Sequence, residues 1–174
     1  MLRFTIMPID DGFVGIVASP RGLTYLSMSK SQGAAEDRVR REFPTAERDN
    51  DLMPEVRVQL GQYFAGKAVD FDVTIDLSPL TDFQRKVLSA CAKIPRGQVL
   101  SYAELARRLN RPRAARAVGN ALARNPIPVV IPCHRVIASN GQLGGYSAEQ
   151  GLNMKRRLLE LECASPSITV DRDV

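Results

Sequence analysis

A chain of 174 residues, 44% hydrophobic and 25% charged, has the size and composition of one globular domain or of two small ones. No apolar run approaches the roughly 18 residues that a membrane span needs, and the first residues lack the layout of a signal peptide, so we expect a cytoplasmic protein without membrane contact. Three widely spaced cysteines and one histidine argue against a disulfide framework and against a metal site.

The net charge of +5 is concentrated in the second half of the chain. Residues 1–76 carry nine basic and twelve acidic side chains, whereas residues 77–174 carry fifteen and seven. Between Glu104 and Glu149 there is no carboxylate, and seven arginines fall there: Arg107, Arg108, Arg111, Arg113, Arg116, Arg124 and Arg135. Such a block favours a partner with a phosphate backbone over the alternative, a solvated face that keeps the protein soluble.

The first half of the chain reads as a small sheet followed by helices. Residues 2–7, 13–18 and 23–27 are apolar runs separated by the turn signals Asp-Asp-Gly and Pro-Arg-Gly, which predicts three antiparallel strands. Residues 31–43 and 55–64 have helical character, and the alternation over residues 71–75 predicts a half-buried strand. Nothing in this half indicates catalysis, so we interpret residues 1–76 as a scaffold domain.

The second half begins with two helix-start signals. Thr81 with Gln84, and Ser101 with Glu104, are capping boxes, in which each side chain satisfies the other's free backbone N–H. A proline among small residues at 77–80 precedes the first of them and marks the domain boundary. We therefore expect a second domain over residues 80–163 and a loose tail over residues 164–174.

The helix predicted over residues 113–124 is unusual for its small residues. Pro112 suits the first turn of this helix. This helix and the one before it form a helix-turn-helix candidate. Small side chains recur at Ala114, Ala117, Gly119 and Ala121, beside a polar stripe that consists of Arg113, Arg116, Asn120 and Arg124. Helix packing alone would explain the small residues, but the flanking arginines favour a nucleic-acid groove read mainly through backbone contacts.

The chemistry of the chain is concentrated at Pro132-Cys133-His134-Arg135. The apolar run at residues 127–131 predicts a buried approach that places the Cys133 thiol at the floor of a pocket. A buried thiol is inert unless a neighbouring imidazole, arginine or helix N-terminus lowers its pKa. We expect an extended segment here, in which His134 acts on the thiol through a water and a third group orients the imidazole. A core cysteine and a structural histidine are the alternatives, and Cys91 and Cys163 are interpreted as core residues.

Four segments together resemble the O6-alkylguanine-DNA alkyltransferase family. They are the run from Asn125 to Val136, the helix with Ala114-Ala115-Arg116-Ala117-Val118-Gly119, the upstream Ser101-Tyr102-x-x-Leu105-Ala106, and Gly144-Gly145-Tyr146-Ser147. The resemblance is strong over residues 80–162 and covers the first half only in layout. It implies an α+β chain: an N-terminal ribonuclease-H-like domain with a small antiparallel sheet, and a C-terminal helical, winged-helix-like domain with the helix-turn-helix.

The resemblance also implies a role for each residue of the reaction centre. Cys133 matches the acceptor, which takes the alkyl group from O6 of guanine in one displacement and is not regenerated. His134 matches the water-linked base, and Glu162 matches the carboxylate that orients it. Asn125 matches the asparagine between the recognition helix and the active-site segment, and Tyr102 matches the tyrosine that donates to N3 of the base.

Further residues match the family's DNA contacts and pocket. Arg116 corresponds to the arginine that fills the gap left by the flipped nucleotide, on a helix whose small residues, Ala115 among them, fit a minor-groove approach. Tyr146 and Ser147 match the lid that follows Gly144, and the backbone carbonyls of Val136 and Cys133 face the exocyclic amine of the base.

The sequence thus predicts single-turnover repair of double-stranded DNA containing O6-alkylguanine, by a monomer without cofactor or metal; cooperative binding to DNA stays open. Two other functions compete with it. A lesion sensor that binds DNA without reacting would be indifferent to Cys133→Ser. A thiol hydrolase built on Cys133 and His134 would turn over acyl substrates and ignore DNA, which leaves the arginine block unexplained.

Overall fold

The computed structural model describes residues 1–145 and 151–162, and the chain divides into two compact units, Met1–Pro79 and Leu80–Val174. Helices and strands are combined in a mixed α+β arrangement, as the sequence predicts. None of the helices in the described ranges is long and apolar enough to cross a membrane. Cys163 and the tail expected over residues 164–174 lie outside the described residues.

The first unit is built on a four-stranded sheet. Its strands are β1 (Arg3–Ile9), β2 (Gly12–Ser19), β3 (Gly22–Ser29) and β4 (Glu47–Arg48), in the order β3-β2-β1-β4. The antiparallel pairs β1–β2 and β2–β3 confirm the two predicted hairpins. The two-residue strand β4 pairs in parallel with β1 and is too short to show an alternating pattern in the sequence.

Two helices complete the first unit close to their predicted positions. The helix α1 spans Gln32–Glu42, and its first turn is capped by the hydroxyl of Ser31, which accepts a hydrogen bond from the amide of Ala34 at 3.2 Å. The helix α2 spans Pro54–Phe64 and begins with a proline, whose missing N–H costs nothing in a first turn. Apolar residues of the sheet, of α1 and of the segment that joins α1 to β4 pack into one core cluster that consists of Phe4, Val17, Val39 and Ala46.

The prediction of a half-buried strand over residues 71–75 is wrong. Only Ile75 forms a bridge to the sheet, in which the amide of Leu23 donates to the carbonyl of Thr74 at 2.9 Å. On the other side of the bridge the amide of Asp76 donates to the carbonyl of Leu23 at 2.8 Å, and the buried Asp76 carboxylate accepts hydrogen bonds from the Ser19 hydroxyl at 2.6 Å and from the amide of Ser78 at 3.1 Å. The bonds to its carboxylate hold the pKa of Asp76 down at about 2.

The second unit is mainly helical. Its helices are α3 (Asp82–Cys91), α4 (Tyr102–Arg108), α5 (Ala115–Ala123) and α6 (Gly151–Leu161), and a 3-10 turn covers Cys133–Arg135. Both predicted capping boxes form, at Thr81 before α3 and at Ser101 before α4. Cys91 is buried on α3, in agreement with its interpretation as a core residue.

The helix-turn-helix differs from the prediction at the start of α5. The helix begins at Ala115 after Ala114 as its N-cap, so Pro112 lies in the preceding turn and not in the first turn of the helix. The reason is local hydrogen bonding: the carbonyl of Arg111 accepts from the amide of Ala114 at 2.9 Å and closes a turn around residues 112 and 113. Arg113 and Arg124, predicted to lie within the helix, flank it instead.

A short parallel pair links the 3-10 turn to the beginning of α4. Strand β5 (Leu100–Ser101) pairs with β6 (Val136–Ile137), with Leu100 opposite Val136. Since β6 directly follows Arg135 and β5 directly precedes Tyr102, this pairing fixes the cysteine-bearing turn beside the first residue of α4. Two-residue strands leave no pattern in the sequence, and this pair was not predicted.

Candidate active site

The segment that leads to Cys133 is held by the side chain of Asn125. Its amide nitrogen Nδ2 donates to the carbonyl of Ile131 at 2.8 Å, and its oxygen Oδ1 accepts from the amide of Ile127 at 3.0 Å. Val129, between these anchors, has a φ of 77°, a left-handed conformation that is costly for a β-branched residue. The predicted burial of the apolar run is confirmed at Ile127, Val129 and Ile131, and the segment is folded back on itself.

Cys133 lies on the 3-10 turn and not in an extended segment, which corrects the prediction. The residue is only 6% exposed, and its sulfur accepts a hydrogen bond from Nδ2 of Asn125 at 3.2 Å. Burial raises the pKa of the Cys133 thiol, whereas the Asn125 bond and the positive charge of Lys155 pull the pKa down. The pKa of Cys133 stays above its ordinary value, and Asn125 and Lys155 are the groups that stabilise its thiolate against the effect of burial.

His134 is fully buried beside Cys133 and is joined to Glu162. Its Nε2 lies 2.8 Å from Oε1 of Glu162, and because a carboxylate only accepts hydrogen bonds, Nε2 is the donor. Burial lowers the pKa of His134, and the bond to Glu162 opposes that effect. A neutral imidazole that donates through Nε2 carries its basic lone pair on Nδ1, which is the form a general base requires.

Arg135 holds the same carboxylate from the other side. Its Nε donates to Oε2 of Glu162 at 2.9 Å and its second terminal nitrogen donates to Oε1, also at 2.9 Å, while the remaining terminal nitrogen donates to the carbonyl of Ile94 at 2.5 Å. Its side chain is 11% exposed, so Arg135 does not belong to the basic surface to which the sequence assigned it. The guanidinium instead fixes both oxygens of Glu162.

Tyr102, the first residue of α4, packs against two glycines. A Cβ on Gly144 would lie 2.8 Å from the Tyr102 hydroxyl oxygen, and one on Gly119 would lie 3.7 Å from the ring. Burial raises the pKa of Tyr102, so its hydroxyl keeps its proton at neutral pH. Gly144 therefore leaves the space that the tyrosine hydroxyl occupies, at a φ of 67° that glycine adopts easily.

A cavity of about 610 Å³ lies beside Tyr102 on the face of α5. Four of the predicted DNA-binding residues line it: Ala115, Arg116, Gly119 and Asn120. The small residues of α5 that line it, Ala115, Gly119 and Ala123, follow one another at intervals of four; of the predicted small residues, Gly119 is among them and Ala114, Ala117 and Ala121 are not. Ala121 is buried, whereas Ala117 is exposed outside the cavity.

Lys155 on α6 is a member of the site that sequence reasoning missed. Its side chain is fully buried, and Nζ donates to the carbonyl of Val136 at 2.6 Å and to the Tyr102 hydroxyl oxygen at 3.5 Å. Burial lowers the pKa of Lys155 to about 8. The sequence does contain a signal for this burial. Lys155 precedes Leu158, Leu159 and Glu162 by three, four and seven residues, and this spacing places it on the buried face of a helix.

Tyr146 and Ser147, predicted as the lid, lie outside the described residues. Within residues 1–145 and 151–162, no three His, Cys, Asp or Glu side chains are grouped as ligands of a metal ion would be.

Two family models match the chain, one to each half. Residues 2–77 match the 6-O-methylguanine DNA methyltransferase, ribonuclease-like domain, and residues 82–164 match the 6-O-methylguanine DNA methyltransferase, DNA binding domain.

Curated relatives and solved structures bear similar names. A methylated-DNA–protein-cysteine methyltransferase of Mycobacterium tuberculosis is 52% identical over 104 residues, which are 60% of this chain and 61% of that protein, so the match spans less than two thirds of its length. A protein of the same name from Methanosarcina acetivorans is 39% identical over 92% of this chain and 98% of its own. The structure of M. tuberculosis OGT in complex with DNA has a TM-score of 0.76 at 38% identity and covers 93% of this chain and 92% of that one.

Proposed function

The chain belongs to the 6-O-methylguanine DNA methyltransferase family, and on this basis we propose that it repairs DNA by irreversible transfer of the alkyl group of O6-alkylguanine to Cys133. The observation that carries the proposal is the buried Cys133 thiol, which receives a hydrogen bond from Asn125 next to the His134–Glu162 pair. A buried thiol with a donor on its sulfur and a neutral imidazole beside it suits a nucleophile better than a core residue.

The first step is removal of the thiol proton. His134, held neutral by burial and oriented by Glu162, accepts this proton at Nδ1 through a water molecule. Arg135 keeps both carboxylate oxygens of Glu162 in place while the imidazolium forms. The resulting thiolate is stabilised by the Asn125 amide.

The second step is a direct displacement at the alkyl carbon. The sulfur of Cys133 forms a bond to this carbon while the bond from carbon to O6 breaks and its electron pair passes to the guanine. Tyr102 donates its hydroxyl hydrogen toward N3 of the base, where the negative charge is partly carried. The product is a thioether, which is a poor leaving group, so each chain reacts once as a methylated-DNA–protein-cysteine S-methyltransferase.

Access to the base requires the nucleotide to leave the stack, because O6 is not reachable inside a duplex. In the proposal α5 enters the minor groove, Arg116 takes the place of the flipped nucleotide, and the other contacts come from Ala114, Ala115, Ala117, Gly119, Asn120, Arg113 and Arg124. Arg116 and Asn120 line the cavity beside Tyr102, which supports this assignment. A similar M. tuberculosis protein was solved in complex with DNA, which supports DNA as the partner.

The pocket, the assembly and the location complete the proposal. Gly144 and the carbonyl of Val136 border the base, with Tyr146 and Ser147 as the lid. The protein acts as a monomer, and the shape of its DNA-binding isotherm reports any cooperativity. We place it in the cytoplasm, where a reducing environment keeps an acceptor thiol available.

Mass spectrometry of the protein after reaction tests the function. The chain is mixed with excess duplex oligonucleotide carrying O6-methylguanine, and intact and peptide masses are recorded. We expect one methyl group per chain, on the peptide with Cys133, and none on the Cys133→Ser variant. Tight binding to this DNA without any adduct would overturn the transfer and leave a lesion sensor.

A second experiment isolates nucleotide flipping. We expect Arg116→Ala to slow methyl transfer from duplex DNA far more than transfer from the free base O6-methylguanine, because only the duplex requires a gap to be filled. Arg41→Ala, which removes an exposed arginine of the first unit, serves as the charge-matched control. Equal losses with both substrates would refute the role of Arg116.

A further inference from the structure

We propose that Lys155 is a positioning residue of this reaction: its buried ammonium group fixes the Val136 carbonyl and the Tyr102 hydroxyl and supplies the positive charge that favours the Cys133 thiolate. The inference rests on the proposed function, because it assigns Lys155 to the same reaction. It goes beyond that function in adding a second cationic group, besides Arg135 on the Glu162 carboxylate, that acts on the thiol itself.

The burial of Lys155 is the first argument. A fully buried ammonium group is costly unless charge or hydrogen bonds compensate it. Within the described parts of the chain, no carboxylate lies within ion-pair distance of Nζ, whose partners are a carbonyl oxygen, a phenol oxygen and the face of the Tyr102 ring 5.7 Å away. A structural lysine would more commonly reach solvent or an acidic partner. The position of this one points to a use for its charge.

The direction of its hydrogen bonds is the second argument. An ammonium group has three donors and no acceptor, so the Tyr102 oxygen must accept from it. The hydroxyl hydrogen of Tyr102 is then directed elsewhere and is available to the base. The Val136 carbonyl, bound by Lys155 at 2.6 Å, keeps its second lone pair for an exocyclic amine. One lysine thus orients a donor and an acceptor of the pocket.

The groups that face Lys155 are the third argument. They are Cys133 on the 3-10 turn, Cys91 on α3 and Tyr102 on α4, and the charge of Lys155 also acts on His134. Of the two thiols, the sulfur of Cys133 also receives the Asn125 hydrogen bond, and burial raises the pKa of Cys91 far above neutrality. Burial raises the pKa of both thiols, and Cys133 differs from Cys91 in that its thiolate is stabilised by the Asn125 amide as well as by the charge of Lys155.

The sign of the coupling follows from these charges. Lys155 lowers the pKa of Cys133, and ionised Cys133 raises the pKa of Lys155. With a pKa of about 8, Lys155 is mostly charged at pH 7 and loses its charge as the pH rises through 8. Its assistance to the thiolate is therefore present at neutral pH and declines above pH 8.

Three variants separate charge from hydrogen bonding. Lys155→Met removes both, Lys155→Gln keeps a donor for Val136 without charge, and Lys155→Arg keeps the charge. The exposed Lys67→Met is the control. For each folded protein, alkylation of Cys133 by iodoacetamide is followed against pH by peptide mass spectrometry. This reaction requires no DNA and no methyl transfer, so it measures the effect of Lys155 on the reactivity of Cys133 independently of the proposed function.

We expect the rate of Cys133 alkylation at pH 7, where Lys155 is charged, to fall in the Met and Gln variants and to stay near the wild-type value in the Arg and Lys67→Met variants. The difference narrows above pH 8, and each unit by which loss of the charge raises the pKa of Cys133 lowers the rate at pH 7 about ten-fold. A wild-type profile in Lys155→Met or Lys155→Gln overturns the proposal. If the wild type transfers methyl groups but these variants keep the wild-type profile, only the role of Lys155 is refuted. If the variants have an altered profile but the wild type transfers no methyl group, only the proposed DNA repair function is refuted.

A measurement on the unaltered chain covers the case in which the variants do not fold. In protein with ¹³C-labelled lysine, the Cε signal of Lys155 is titrated by NMR before and after Cys133 is capped with iodoacetamide. Because electrostatic coupling is reciprocal, removal of the thiolate must lower the pKa of Lys155. An unchanged titration of Lys155 overturns the proposal.

Discussion

Replacement of Asn125 by alanine should weaken the fold of the second unit and the reactivity of the thiol together. The buried side chain makes three hydrogen bonds, to the Ile131 carbonyl at 2.8 Å, from the Ile127 amide at 3.0 Å and to the Cys133 sulfur at 3.2 Å. Each contributes about 1 kcal/mol net, and a buried amide left without a partner costs about 1–3 kcal/mol. We expect Asn125→Ala to lower the free energy of unfolding by about 3 kcal/mol or more.

The same substitution removes a donor from the sulfur. Because the Asn125 bond lowers the pKa of Cys133, that pKa rises in the variant and less thiolate is present at pH 7. Asn125 also anchors both ends of the stretch that holds Val129 at its left-handed φ, so the turn with Cys133 loses its fixed position. We therefore expect the pH profile of Cys133 alkylation to move to higher pH.

Asn140 provides a matched control for this experiment. Its Oδ1 accepts from the amide two residues on, in Gln142, at 3.1 Å, as Asn125 does with Ile127, but Asn140 is exposed. Urea unfolding followed by circular dichroism should therefore give a loss within about 0.5 kcal/mol for Asn140→Ala. Equal losses in the two variants, or an unmoved alkylation profile in Asn125→Ala, would refute the reasoning.

Two further substitutions have matched controls in the chain. Glu162→Gln removes the negative charge that opposes the lowered pKa of the active-site imidazole, so we expect methyl transfer at pH 7 to slow about 100-fold, whereas the exposed Glu160→Gln leaves single-turnover rates unchanged. Gly144→Ala places a Cβ 2.8 Å from the Tyr102 oxygen and should slow transfer as well as cost stability. Gly141→Ala has a similar φ of 83° with open space around it, so it should cost only about 1–2 kcal/mol of stability; equal transfer rates in the two glycine variants would contradict the clash.

Local chemistry decided which parts of the fold could be predicted. The capping residues Thr81 and Ser101 fix two helix starts through bonds to residues three positions away, and such signals are complete within a few residues of sequence. The strand expected over residues 71–75 is reduced to a single bridge between Ile75 and Leu23, beside which Asp76 binds Ser19, 57 residues away along the chain. No window of sequence contains that contact, and the same holds for the two-residue strands.

The candidate site was predictable where the residues are adjacent in a motif. The Pro-Cys-His-Arg run gives the cysteine and the histidine together, and the resemblance to a family supplies Glu162 and Asn125. The geometry was not predictable, since the turn at Cys133 depends on the side-chain bonds of Asn125 to the backbone of the segment before it. Lys155 was overlooked because a lysine among arginines reads as surface charge unless its helical face is considered.

The position of α6 in the chain bears on biosynthesis. This helix provides Lys155, and Glu162 directly follows its last residue. Glu162 lies seven residues after Lys155, which is two helical turns farther along the same face. A ribosome completes the Cys133 turn before it adds either of them. A nascent chain without α6 therefore carries the cysteine without its cation and without the carboxylate partner of His134. Under the proposed mechanism the reactive thiol is assembled only when the last described helix has been synthesised and packed, and a chain without that helix holds an ordinary cysteine.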